Sequence, residues 1–390
     1  MSLIATTLPA EVVMARRRNP EGSQLRAARM ASLLLDDRAA GGRGAAEVVE
    51  WFGAMQAQDL ASVKWSLGVR TGQDRSGVTS AFESGSILRT WPMRGTLHVV
   101  PGRDAKWMVA HLGRRARDGA QARRAVLGLD AAQSQRATEV LAEALADGQP
   151  ATRAQCVAAL GAAGIATDGQ RAYHLLWYAS ACGVTCVGPN RGTEQTFALL
   201  AKWAPGGLDV DRQAALAITA ERYFRSHGPA TVHDLARWAD LTVADARAGI
   251  AAAAGLVQQV IQGREMLAAE QVLDTLPAGG TPPARRPRLP ARALPGFDEF
   301  VIGFRDRTAQ LDAAHERLVV PGGNGVFAPT LVLDGEVVGT WRRRELSGRV
   351  EITAKSFDRL AARARKTITK ALVAYSDYVG LPPDIRWENL

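Results

Sequence analysis

The chain has little cysteine, no long apolar run and none of the short motifs that mark the common catalytic classes. Its three cysteines, Cys156, Cys182 and Cys186, are too few and too irregularly spaced for a disulfide framework. Cys182, Cys186 and the nearby His174 suggest a metal, but no fourth ligand stands at a recognisable spacing, so buried thiols and no metal are expected. No apolar stretch is long enough to span a bilayer, so no membrane association is expected. Arg16-Arg17-Arg18 follow the first apolar stretch instead of preceding it, the wrong order for a secretory signal, and a cytoplasmic protein is expected. A Walker loop, a His-Glu-x-x-His pair and a Gly-x-Ser-x-Gly elbow are all missing. Their absence argues against P-loop, zinc-peptidase and α/β-hydrolase chemistry, and no cofactor is expected.

What is present is a basic chain with the composition of a folded protein. Apolar residues make up 47% and charged residues 22% of 390 positions, enough for two or three domains with their own cores. Lysine and arginine number 48 against 39 acids, a net charge of +9, which favours a polyanionic partner such as nucleic acid. The arginines cluster. Arg114, Arg115 and Arg117 stand together, Arg123 and Arg124 follow, and Arg342-Arg343-Arg344 comes after Trp341. Arginine-rich helices and wings suit phosphate contacts, which supply affinity without reading sequence, and the first two clusters are the candidates for the DNA backbone.

Periodicity divides the chain into repeating units. Residues 1–22 read as a basic arm. In residues 23–104, a helix over 25–36 and a second carrying Val48, Trp51, Phe52 and Met55 lead to a strand pair over 87–100. Residues 105–206 hold a basic helical region, then a helix opened by the capping box Thr152/Gln155, a helix over 170–181 and a hairpin ending at Leu199. Residues 207–276 repeat the order, with Thr231/Asp234 and Thr242/Asp245 opening two helices before a hairpin turning at Gln262-Gly263. Helix, turn, helix and two-stranded wing describe a winged helix-turn-helix. Residues 277–296 form a Pro/Arg-rich linker. In residues 297–390, strands are expected at 300–304, 317–321, 325–332, 336–342 and 350–353 before a basic helix over 356–375. The expected fold class is α+β and mostly helical: three tandem winged helix-turn-helix units and a β-rich, barrel-like C-terminal domain.

Two stretches concentrate polar groups among apolar ones. Leu294-Pro295-Gly296-Phe297-Asp298-Glu299-Phe300, with Arg305-Asp306-Arg307 beyond it, is either a metal-binding carboxylate cluster or a salt-bridged structural corner; a single acidic cluster favours the corner. Met55-Gln56-Ala57-Gln58-Asp59-Leu60 ends an apolar helical run. In a regular helix Gln56 and Gln58 would point about 200° apart. They converge on one site only if the helix unwinds or bends where it ends.

Together with Arg89-Thr90-Trp91-Pro92-Met93-Arg94-Gly95-Thr96-Leu97-His98, the Leu-Pro-Gly-Phe-Asp-Glu-Phe stretch and Asp306-Arg307, this hexapeptide resembles the bacterial winged-helix DNA glycosylases typified by AlkZ and YcaQ. The resemblance runs from about residue 25 to 385. It implies that Gln56 and Gln58 are the catalytic residues, in the Gln-x-Gln form of the AlkZ type; Asp59 stands one position too late for the Gln-x-Asp form. It further implies a nucleoid-associated enzyme acting on double-stranded DNA with alkylated bases, which excises alkylated purines such as N7-alkylguanines, bulky adducts and interstrand crosslinks.

The residue chemistry agrees with that implication. N7 alkylation makes the base a cationic leaving group, so a positioned water and stabilisation of the cationic sugar suffice. Glutamine amide oxygens orient a water held between them; Asp59 supplies charge or, as expected here, caps the next helix. Arg94 and His98 are further candidates for the site or for DNA contact. With no lysine in the motif and only Lys64 nearby, a monofunctional enzyme is expected, leaving an abasic site and acting as a monomer. The competing reading is a winged-helix transcriptional regulator that binds DNA without catalysis.

Overall fold

The computed structural model describes residues 20–37, 42–273, 289–323 and 325–388. Residues 1–19 of the expected basic arm and most of the Pro/Arg-rich linker therefore lie outside the described residues, while residues 20–22, expected in the arm, open the helix Pro20–Ser32.

Local sequence signals account for most helix boundaries. Thr152 and Gln155 form a reciprocal capping box at the start of Arg153–Ala162, and Thr231 with Asp234 does the same for Val232–Trp238. Thr242 accepts from the Asp245 N–H at the start of Val243–Ala252. Each cap satisfies an N–H that the first turn leaves without an intrahelical acceptor. Three hairpins follow three helix pairs: Ile87–Met93 with Thr96–Pro101, Thr185–Arg191 with Glu194–Leu199, and Leu256–Ile261 with Arg264–Ala269.

The first two hairpins are not separate wings. Arg89 pairs with Val187, fusing them into one sheet. The strand order is Met55–Gln56, Thr96–Pro101, Ile87–Met93, Thr185–Arg191, Glu194–Leu199 and Ala151–Thr152. Arg89 reaches across the seam to Asn190 Oδ1 at 3.0 Å, and burial lowers its guanidinium to about 10. The third hairpin forms its own two-stranded sheet.

The C-terminal region departs from expectation in two ways. It is no closed barrel: Pro383–Trp387, Arg349–Ser356, Glu336–Leu346, Thr330–Leu333 and Arg292–Leu294 make an open five-stranded sheet, with the last strand of the chain added parallel at one edge. The helix Ala362–Val379 contacts this sheet and contributes Ile368 and Leu372 to the core beside it. In addition, two expected strands are short helices, Glu299–Ile302 and Glu316–Val319. Asp298 explains the first, because its carboxylate accepts from the Phe300 N–H and starts a turn where apolar composition alone reads as strand.

One hydrophobic core joins both ends of the chain. It contains Val48 and Phe52 from the helix Ala45–Phe52, Tyr223 and Phe224 from Arg212–His227, and Leu331, Ile352 and Leu372 from the C-terminal region. A second core, with Trp91, Leu97, Leu141, Leu175, Trp177 and Phe197, lies under the fused hairpins. The main core also encloses an ion pair: Arg70 Nη1 and Nη2 donate to the two Asp298 oxygens at 2.8 and 2.9 Å, both side chains being essentially inaccessible. Ser66 Oγ donates to Asp298 as well, and Arg70 Nε donates to the Leu33 carbonyl. The expected structural corner is thus found at Asp298, although its partner is Arg70 and not the neighbouring arginines.

Removing one member of such a pair strands the other charge in the core. Asp298→Ala should cost about 3–5 kcal/mol of unfolding free energy in urea titration. A loss under about 1 kcal/mol would show that the pair does not hold the corner.

A candidate active site on a strand edge

The helix Ala45–Phe52 stops at Gly53, whose φ of 79° is open to glycine and strained for other residues. The chain then runs extended. Met55 and Gln56 pair with Val99 and His98, and the Ala57 N–H donates to the Leu97 carbonyl at 2.8 Å. Gln56 therefore sits beyond the helix on the edge strand of the fused sheet, and Gln58 in the bend just past that strand, not on a helix end that unwinds. This resolves their spacing, since neither residue is helical and the bend after the strand lets the two side chains meet. Gln56 Nε2 donates to Gln58 Oε1 at 3.0 Å. Gln56 is buried and Gln58 is exposed, so the pair runs from the interior to the surface.

Asp59 ends the stretch by capping Leu60–Thr71. Its carboxylate accepts from the Ala61 N–H at 3.0 Å and from Ser62 Oγ at 2.6 Å, and Arg343 stands 4.0 Å away. Lys64, one turn further on, is engaged by Thr79 Oγ1 at 2.8 Å.

Arg94 and His98 come to the same point from the hairpin. Arg94 and Gly95 occupy the two central positions of its turn with φ of 56° and 64°, the backbone of a tight two-residue hairpin. A left-handed conformation at a non-glycine residue costs about 1 kcal/mol or more. The turn delivers the Arg94 guanidinium to His98 Nε2 at 2.9 Å and, more weakly, to Gln56 Oε1 at 3.4 Å. Because Arg94 must donate, His98 Nε2 accepts and Nδ1–H donates to the Thr96 carbonyl at 2.8 Å. Burial first, and then the Arg94 charge, lower the His98 imidazole to about 3, so it is neutral. Burial lowers the Arg94 pKa from its ordinary value, while Glu299 opposes that shift.

Behind the pair lies a group that sequence reasoning treated only as part of the acidic corner. Glu299 Oε1 accepts from the Gln56 backbone N–H at 3.0 Å, and its Oε2 lies 3.0 Å from Trp238 Nε1 and 3.2 Å from His227 Nε2. Burial alone would raise the Glu299 pKa, but His227, Arg94 and the Gln56 N–H outweigh it and hold the carboxyl at about 2. His227 stacks on Tyr223 with centroids 4.6 Å apart and meets Phe52 edge-on; a side chain at Gly303 would collide with its ring. A signal for Glu299 does exist in the sequence: adjacent acids between Phe297 and Phe300 imply buried charges that need distant partners.

Two clefts meet at Gln58. One, of about 720 Å³, is lined by Gln56, Gln58 and Arg94 together with Arg237, Arg305 and His233. The other, of about 700 Å³, is lined by Gln58 and the aromatic side chains of Trp91, Tyr173, Trp177 and Phe197.

The arginines of the basic helices are divided. Arg117 donates to the carbonyls of Val109, Ala110 and Ala181, and Arg124 lies over the Tyr178 ring at 4.9 Å. Arg114 pairs with Asp118 at 3.6 Å, Arg115 with Asp240 at 3.7 Å, and Arg123 with Gln170, all on the surface. Among the described residues no group of three or more His, Cys, Asp or Glu side chains could hold a metal ion. Cys156 and Cys186 are buried as expected, whereas Cys182 is exposed. Among the described residues no helix is long and apolar enough to cross a membrane.

His98 generates a pH prediction. A folded-state pKa of about 3, against 6.5 when unfolded, gives a stabilisation that is complete above pH 6.5 and is lost as the pH falls towards 3. An NMR titration should therefore find the His98 ring neutral, with the proton on Nδ1, at pH 5. An imidazolium forming with a midpoint near pH 6.5 would contradict the buried acceptor role.

Comparison with known proteins agrees with this architecture. The family described as DNA glycosylase AlkZ-like matches residues 49–378. An interstrand DNA cross-link repair glycosylase of Streptomyces sahachiroi is 28% identical over 317 residues, 76% of this chain and 81% of that one. The solved structure of the Streptomyces sahachiroi DNA glycosylase AlkZ superposes with a TM-score of 0.75 at 24% identity, covering 93% of this chain and 98% of that chain, a likeness of fold. The chain belongs to the AlkZ-like DNA glycosylase family and is a DNA glycosylase.

Proposed function

We propose that this glycosylase hydrolyses the N-glycosidic bond of alkylated purines in duplex DNA, N7-alkylguanine first among them, through Gln56 and Gln58. The observation that carries this reading is the pair of glutamine amides in contact at the end of the edge strand, backed by a buried carboxylate and opening onto an arginine-rimmed cleft. An N7-alkylated purine is cationic and departs without a strong acid, so a site whose histidine is held neutral suits it. The reaction then needs an oriented water and negative potential near the developing oxocarbenium ion.

In this reading the water does not lie between the amides. A separation of 3.0 Å leaves no room for a water between the two amides. The nucleophile instead sits beside them, on the second lone pair of Gln58 Oε1, whose first is engaged by Gln56 Nε2. Arg94 on Gln56 Oε1 fixes which way the Gln56 amide faces, and with it the Gln58 oxygen. Glu299 is a positioning residue that also lends negative charge behind the pair.

Further parts of the reading extend outward from the site. The three helix-pair-and-hairpin units, the first two sharing one sheet, act as winged helices on DNA, with Arg114, Arg115 and Arg123 turning from surface partners to phosphates. Lys64 is engaged by Thr79, which supports a monofunctional enzyme that leaves an abasic site. Action as a monomer belongs to the same reading. The name of the Streptomyces relative supports interstrand crosslinks as substrates, and membership of a glycosylase family favours catalysis over a purely regulatory role.

On duplex with a single N7-methylguanine, Gln56→Ala and Gln58→Ala should each lower single-turnover base release roughly 10²-fold while leaving duplex affinity nearly intact. Wild-type rates in either variant would remove that glutamine from the mechanism. Replacing Arg114 and Arg115 together by alanine should reduce the salt slope of DNA binding by about 2. An unchanged slope would take that helix off the DNA face.

A further inference from the structure

The aromatic cleft has no part in hydrolysis as described above, yet it ends at Gln58. The strand Thr96–Pro101 explains its position. Alternate residues on a strand face opposite sides, so Thr96 lines the arginine cleft and Leu97 the aromatic one. In the facing strand the register slips at Trp91-Pro92. An irregularity of this kind re-aims side chains, and Trp91 becomes part of the aromatic wall. Gln58, beyond the sheet edge, borders both spaces.

The two spaces differ in chemistry. Arg94, Arg237, Arg305 and His233 suit a sugar-phosphate strand. Across Gln58, Trp91, Trp177 and Phe197 are buried in the wall, while Tyr173 stands 53% exposed at the mouth. Arg153 and Glu194 form a polar rim. An apolar floor, a few polar groups at the edge and about 700 Å³ match a site for a drug-sized molecule and far exceed what a methyl group fills. A flat ring system stacks on such walls without sequence preference.

We propose that this cleft is the subsite for the apolar, ring-bearing group appended to a bulky purine adduct, with Tyr173, Trp177 and Trp91 as its specificity residues. The proposal rests on the glycosylase reading above and adds to it where the large substituent goes. The strand lies in the arginine cleft, the glycosidic bond beside the glutamine pair, and the appended rings in the aromatic cleft. The scissile bond then need not move far for small and large lesions alike.

Two substitutions at exposed positions test this without opening the core. Ala154→Trp fills the cleft from the helix Arg153–Ala162, and Tyr173→Ala removes the stacking surface at its mouth. Single-turnover base release is measured on duplexes carrying N7-methylguanine or an N7-guanine adduct with a polycyclic aromatic group, with thermal melts to check folding. Each variant should lower the ratio of bulky to methyl release at least tenfold. Equal losses on both substrates would show that the cleft holds the purine itself and overturn the subsite; unchanged release of both would do the same. Wild-type protein that releases methylguanine but not the bulky base overturns the subsite alone. Wild-type protein that releases neither overturns the glycosylase reading of these substrates and the subsite with it.

Discussion

Two adjacent buried carboxylates, Asp298 and Glu299, tie together the elements that build the site. Asp298 holds Arg70 and Ser66 of the helix Leu60–Thr71. Glu299 accepts from the strand bearing Gln56 and lies within hydrogen-bonding distance of His227 and Trp238 on two other helices. A buried carboxylate is tolerated only when its lone pairs are satisfied, so these partners have little freedom to move. Gly303 leaves room for the His227 ring, and Tyr223, Phe52 and Trp238 surround it. The constraint is electrostatic at its centre and steric around it.

From that anchor the catalytic geometry follows in short steps. Glu299 fixes the Gln56 backbone, the bend after the strand brings Gln58 against Gln56, and Asp59 starts the next helix immediately afterwards. The strained turn at Arg94 completes the arrangement by bringing a guanidinium against His98 and Gln56. Strain at a non-glycine residue persists only where its surroundings over-determine it, and here two side chains, His98 and Gln56, hold the Arg94 guanidinium. A neutral histidine, an ionised glutamate and two amides make a site suited to a leaving group that is already charged.

Much of this was legible in the sequence where the cause is local. The caps at Thr152, Thr231 and Thr242 and the hairpin turning at Gln262-Gly263 are written within a few residues of the elements they start or close. Gln56 and Gln58 were legible as chemistry but not as geometry. The strand that carries Gln56 has only two residues, Met55 and Gln56, and exists only because it pairs with Val99 and His98, a contact that helical periodicity over 45–55 hides. The acidic corner was legible as buried charge, yet Arg70 and His227 lie far from it in sequence, and the nearby Arg305-Asp306-Arg307 drew attention away from both. The fusion of two hairpins through Arg89 and Val187, and the open C-terminal sheet with its parallel edge strand, depend on tertiary pairing that alternation does not encode.

The central claim is that Gln56 and Gln58 work as one unit, the first orienting the second. A double-mutant cycle on single-turnover release of N7-methylguanine tests it most directly. The account predicts that Gln56→Ala and Gln58→Ala combined release base little more slowly than the slower single variant. Losses that multiply across the two substitutions would mean that the amides act independently and would contradict it.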